Sequence, residues 1–310
     1  MRNTLSNTLT KLAEKDDKII LLVGDIGFGV FDEFCKKFPS RFINTGVAEA
    51  NMIGTAAGLA LTGMKPVVYT IIPFLIMRTF EQVRNDICMQ NLPVTLVGVG
   101  GGLSYGTLGP THHAIEDISI MRSLPNMRVI SPCDPTEVDW SFKNIMNSPC
   151  PTYFRLGKGG ESNLLSDKDI KENKFTQPLE IYSGKDVCII SSGHLLKEAI
   201  ATREILEANR IKTSIINIHQ IKPENKDINK RIGKKKLLVT LEEHSIIGGL
   251  GDMVLSSISS YENSPPVIKL GIKDKFIKTI GDREYLLKEE NLTPDAISEF
   301  IIKKLKTLKD

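Results

Sequence analysis

The 310-residue chain is short of cysteine: five residues, Cys35, Cys88, Cys133, Cys150 and Cys188, scattered and odd in number. None forms a C-x-x-C pair, which argues against a disulfide framework or a zinc site and for a reducing, cytoplasmic setting. Long apolar runs are also missing. The longest, near Val67 to Met77, is about half of what crosses a bilayer, so no membrane span is expected. The N-terminal stretch MRNTLSNTLTKLAEKDD has no apolar h-region, so no secretory signal is read there. Excess charge is lacking too: a net +3 does not call for nucleic acid or an anionic membrane. Hydrophobic residues at 41% and charged residues at 25% exclude a disordered or collagen-like chain.

Charge is unevenly spread. Fifteen Lys/Arg and fourteen Asp/Glu fall in the first 160 residues, out of 40 and 37 in the whole chain. A half with so few charges buries much of itself, either in a larger core or against another subunit.

Short apolar runs alternate with helical patterns from end to end. Ile19 to Gly24, Lys65 to Thr70, Pro93 to Gly98 and Met127 to Ser131 read as buried strands. Helices are expected over Arg2 to Lys15, Gly46 to Leu61, Phe74 to Gln90 and Glu116 to Leu124. A second set of strands follows at Asp186 to Ser191, Thr213 to Ile218, Leu237 to Glu242 and Pro266 to Leu270. Helices lie between these, near Leu195 to Asn209 and Gly248 to Ser259, and an amphipathic helix closes the chain from Pro294 to Lys306. The fold class is α/β, with two domains, each a mostly parallel sheet with helices on both faces. Residues 1–160 form the first domain and residues 186–310 the second. The polar stretch 161–185, with little periodicity, reads as the connection.

Four segments could carry chemistry. In Asn44 to Gly63, Asn44 or Thr45 can cap a helix and Gly63 can end it. Glu49 is the only charge on that small, apolar helix. Such a carboxylate is costly to bury unless it is paired or protonated; it is either a first-turn acid favoured by the helix dipole or a group that serves a ligand. Phe74, Met77 and Phe80 share one side of a helix starting after Pro73, as core or as a flat apolar wall for a planar ring. The glycine-rich stretch Gly98 to Asp117 holds adjacent His112 and His113, structural or part of a site and not spaced as a metal pair. Finally Glu242, Glu243 and His244 run from a strand into a glycine-rich turn, which is either a helix-opening turn or part of a site.

Together these segments resemble the transketolase family of thiamine diphosphate enzymes. The resemblance rests on GVAEANM (46–52) with AAGLA (56–60), PFLIMRTFEQVRND (73–86), GPTHH (109–113), SLPNMRVISPCDP (123–135), YFRLGKG (153–159) and LEEHSIIGGLG (241–251). These lie in the family's order over nearly the whole chain. The resemblance implies a pyrimidine-binding domain followed by a transketolase C-terminal domain. It implies that Glu49 hydrogen-bonds the coenzyme's pyrimidine nitrogen and favours the imino form that takes up the thiazolium proton, while the coenzyme itself supplies the reactivity. Phe74, Met77 and Phe80 would line the pyrimidine. His112, with His113 beside it, would contact substrate and move protons. Arg2 and Arg155 would hold a sugar phosphate with their guanidinium forks.

The chain departs from the family's pattern at three points. The motif for magnesium diphosphate is absent, since Gly24-Asp25 and Gly281-Asp282 lack what should follow them. No metal ligand is therefore assigned to this chain, and Mg²⁺ with the diphosphate is expected mainly on a partner, an N-terminal transketolase subunit in an α2β2 heterotetramer. The family's hydroxyl-contacting Asp falls at Leu108, and a substrate histidine falls at Gly100. Both point away from ordinary pentose phosphates and towards a modified or deoxy sugar or another acceptor. The expected activity is transfer of a two-carbon ketol unit from a ketose donor to an aldose. The competing readings are a 2-oxoacid dehydrogenase β-subunit, a deoxyxylulose-phosphate synthase-like subunit and a non-catalytic partner.

Overall fold

Uncharged runs of branched side chains become the middles of two sheets. The computed structural model describes residues 1–171, 173–225, 228–259, 262 and 264–308. Its strands in chain order are β1 (Ile19–Val23), β2 (Phe42–Asn44), β3 (Lys65–Ile71), β4 (Thr95–Val99), β5 (Arg128–Ile130) and β6 (Thr152–Leu156). They continue as β7 (Leu179–Tyr182), β8 (Val187–Ser191), β9 (Thr213–Asn217), β10 (Gln220–Lys222), β11 (Leu237–Ser245) and β12 (Val267–Ile272). The first sheet runs β10-β5-β6-β4-β3-β1-β2 and the second β12-β11-β8-β9-β7. All pairs are parallel except β10 with β5 and β7 with β9, each at a sheet edge. Strands β1, β4, β6, β8 and β9 are buried at every position, as a parallel sheet covered on both faces requires. The α/β two-domain reading holds.

Two details correct the division read from sequence. Strand β7 and the short helix Asp167–Lys171 lie inside the stretch taken as a plain connection. Strand β10, from the second half, pairs with β5 of the first sheet, Gln220 opposite Ile130 and Lys222 opposite Val129. The Ser131 amide also donates to the His219 carbonyl at 2.7 Å. The missed strands are only three or four residues long, too short to show a period.

Helix Glu49–Leu61 buries Glu49, Met52, Ile53, Ala56, Ala57 and Ala60, spacings of three and four that form one stripe. The stripe packs on Ile20, Leu22 and Val68 of the first sheet, and each buried branched side chain contributes roughly 2 kcal/mol. The expected caps are not used. Ala48 precedes the helix without a side-chain cap, because the Asn44 side-chain oxygen already accepts from the Gly46 and Asp25 amides and the Thr45 hydroxyl donates to the Val23 carbonyl. Gly63 does follow the helix end, at φ 90°.

In the second domain Glu242 caps the helix Leu250–Ile258, accepting from the Leu250 amide at 2.6 Å and the Gly251 amide at 2.9 Å. Burial outweighs these bonds and lifts its pKa to about 7 from 4.5. The folded state therefore holds a proton there that the unfolded chain releases, so this group's contribution to stability falls as pH rises from 4.5 to 7. We expect Glu242→Gln to flatten the stability profile between pH 5 and pH 8 by about 3 kcal/mol relative to the parent chain. Urea unfolding across that range would show it, and an unchanged slope would contradict it.

Candidate active site

The loops at the carboxyl ends of β1, β2, β3, β4 and β6 converge on one edge of the first sheet, where open α/β sheets place their ligands. Glu49 opens its helix there, 2% exposed. Its Oε2 accepts from Arg78 Nη1 at 2.7 Å. Arg78 is half exposed, and its guanidinium lies 4.6 Å from the centroid of the Phe74 ring. Phe74 in turn meets the His112 ring edge-on at 5.2 Å, and Tyr105 approaches His112 at 6.3 Å. The His112 Nδ1 lies 3.0 Å from the Thr111 hydroxyl, and Lys158 Nζ stands 5.0 Å over the Tyr105 ring. A buried acid, an aromatic face, a half-buried histidine and a lysine thus form one contiguous group.

The aromatic wall is shorter than expected. Residues Pro73–Met77 and Val83–Cys88 form two π-helical stretches around a single α turn, Phe80–Gln82. The wider π turn breaks the three-residue stripe. Phe74 faces the site, Met77 is 39% exposed, and Phe80 packs against the core that holds Met52 and Ile53. Arg2 lies half-buried beside Gly159 and lines a cavity of about 310 Å³ with Met1, Asn3, Lys158 and Gly160.

Arg155, read from sequence as a phosphate ligand, braces the interior. Its side chain is 5% exposed, with Nε donating to Asp117 Oδ2 at 2.6 Å and Nη2 to Asp117 Oδ1 at 3.3 Å and to the Ala114 and Glu243 carbonyls at 3.0 Å. It ties β6 to β11, because every position of β6 points into the interior. His113 is likewise 3% exposed with neither ring nitrogen hydrogen-bonded, and burial lowers its pKa. Of the histidine pair, only His112 reaches the site.

The structure accounts for one of the two departures. Gly100 sits at φ 93°, and a Cβ there would lie 2.2 Å from the Tyr105 ring, so tyrosine occupies the space of any side chain at 100. Leu108 follows on a short turn and is 51% exposed. Arg78, Tyr105 and Lys158 are the site residues that sequence reading missed. Arg78 carried a signal, being the single cation in an apolar run.

The match to known proteins agrees with this geometry. The family model "Transketolase, pyrimidine binding domain" matches residues 1–160, and "Transketolase, C-terminal domain" matches residues 179–297. A "Putative transketolase C-terminal section" of Methanocaldococcus jannaschii is 34% identical, over 99% of this chain and 96% of its own length. A subunit of an apulose-4-phosphate transketolase from Phocaeicola vulgatus is 32% identical, over 97% of both chains. A solved "Split gene transketolase, inactive beta4 tetramer" superposes with a TM-score of 0.86 at 33% identity, covering 100% of this chain and 98% of that one. With a buried glutamate on the edge of a pyrimidine-domain sheet and both family domains matched in order, the chain belongs to the transketolase family as a transketolase-like C-terminal subunit.

Proposed function

We propose that this chain is one half of the active centre of a thiamine diphosphate enzyme that moves a two-carbon ketol unit from a ketose phosphate to an aldose acceptor. The observation that carries the reading is a buried Glu49 joined to the Phe74 ring through Arg78, which bonds the acid and lies over the ring. Glu49 is more than nine-tenths buried, and Arg78 is its only hydrogen-bond partner among the described residues, on one oxygen. An acid with a second oxygen to spare beside an aromatic ring fits an aminopyrimidine. Bound thiamine diphosphate would supply the electron sink for breaking and forming the carbon–carbon bond.

This chain's residues then do the following. Glu49 holds a hydrogen bond to the pyrimidine nitrogen and settles where its proton resides. Phe74 orients the ring, with Met77 at the rim and Phe80 bracing the wall from behind. His112 reaches a substrate oxygen as acid or base. Arg2 and Lys158 supply positive charge at the mouth for a phosphate. Arg155 and His113 hold the loop in shape.

A second subunit completes the site, carrying the diphosphate and Mg²⁺. Its place is the rim of the same sheet edge. Phe28, 78% exposed, and Val47, 74% exposed, follow β1 and β2 there, more exposed apolar surface than a closed site leaves open. An α2β2 assembly with two-fold self-pairing is the simplest closed solution. Calorimetry with thiamine diphosphate and Mg²⁺ tests this. The chain alone should bind at least 100-fold more weakly than its complex with the diphosphate-domain subunit, and tight binding by the chain alone would overturn the split. Among the described residues, no helix is long and apolar enough to cross a membrane.

A further inference from the structure

We infer that Tyr105 sets acceptor specificity by placing an aromatic wall where hydroxyl-reading side chains would stand, so that the site favours acceptor aldehydes bearing an anionic end and no hydroxyl on the carbon beside the carbonyl, the ketose donor keeping its hydroxyls. This rests on the ketol-transfer reading above and deepens it.

The argument starts from the loop 100–108. The Tyr105 ring lies over Gly100, whose missing side chain leaves the ring its place. The ring is 7% exposed, and its surroundings are fixed. The Gly102 amide donates to the Ala114 carbonyl and the Ala114 amide back to Gly102, both at 2.9 Å. The Leu103 amide donates to Glu243 Oε1 at 2.8 Å, and Glu243 is held by Arg283. A Cβ on Gly106 would lie 2.5 Å from the Gly281 carbonyl oxygen, so the second domain grips this turn. A ring so anchored is a pre-organised surface and not a mobile lid.

Its neighbours show what it borders. His112 lies on one side and the Lys158 ammonium over its face. A substrate that places its reacting oxygen at His112 and its anionic end at Lys158 and Arg2 passes along this ring. Side chains from 100 to 106 offer little to read a hydroxyl there: four of the seven are glycines, Leu103 is apolar, and the Ser104 hydroxyl gives its proton to the Gly101 carbonyl at 2.7 Å. The Tyr105 hydroxyl is the remaining polar group, and the Tyr105→Phe variant below separates it from the ring. The apolar surface continues at Leu108. A hydroxyl against it would lose its water without gaining a partner.

The test uses the complex with the diphosphate-domain subunit and two aldehyde acceptors, glyceraldehyde 3-phosphate and its 2-deoxy analogue, 3-hydroxypropanal phosphate. The parent complex should favour the deoxy acceptor at least fivefold in kcat/KM. Tyr105→Leu and Tyr105→Ala should lower that ratio at least fivefold through KM, with kcat changed less than threefold. Tyr105→Phe, which keeps the ring, should leave the ratio unchanged and shows that the fold tolerates the position. The proposal is overturned if the parent favours the hydroxylated acceptor, if the ratio is unmoved in a folded Leu variant, or if Phe alone shifts it. A parent complex that binds coenzyme yet turns over neither aldehyde overturns the ketol-transfer reading itself, and this proposal with it.

Discussion

Glu49→Gln, assayed in the complex with the diphosphate-domain subunit, should lose at least 100-fold in turnover while melting within a few degrees of the parent. The substitution keeps the shape of the side chain and a hydrogen bond to the coenzyme, but it cannot exchange a proton at that point. Positioned acid–base groups contribute about 10²- to 10⁴-fold, and on the proposed reading Glu49 would govern the step that readies the coenzyme. Stability should change little because the freed Arg78 guanidinium is 47% exposed and returns to water. More than a tenth of parental activity in the Gln variant would remove Glu49 from the mechanism and favour a non-catalytic subunit.

The second large effect is on stability. Asp117 is fully buried and accepts from Arg155 Nε and from the Tyr153 hydroxyl, both at 2.6 Å. Asp117→Ala strands a guanidinium among apolar strands and should cost about 3–5 kcal/mol in urea unfolding. The double variant Asp117→Ala with Arg155→Met should recover much of that loss, since an uncharged pair of similar volume needs no partner. This also separates two roles for Arg155. A phosphate ligand would raise KM for phosphorylated substrates and leave stability alone. The geometry predicts the reverse, with unfolding at lower urea and KM unchanged in whatever fraction stays folded.

The readable parts of the sequence were those with a strong period or a lone anomaly. The buried strands announced themselves as uncharged runs, and the helix carrying Glu49 as an apolar segment with one acid. Arg155 was assigned to a phosphate through the resemblance of YFRLGKG alone, and that motif does not show the bonds that bury it. Its partner Asp117 lies 38 residues away, and no local pattern links the two. The π-helical stretches were invisible for a related reason: Phe74, Met77 and Phe80, at i, i+3 and i+6, spread over only about 120° of an ordinary α-helix and so read as one side of it. Only their packing shows that the backbone takes wider turns, turning Met77 outward. Tyr105 was hidden because its importance comes from a side chain that Gly100 does not have.

Strand β10 has a consequence for anyone dissecting this polypeptide. The family models end one module at residue 160, yet a fragment cut there would lack the three residues that shield the β5 edge. Its bared backbone donors and acceptors would invite strand-to-strand self-association. The two modules are stitched rather than strung, and they are best inherited, expressed and engineered as one piece.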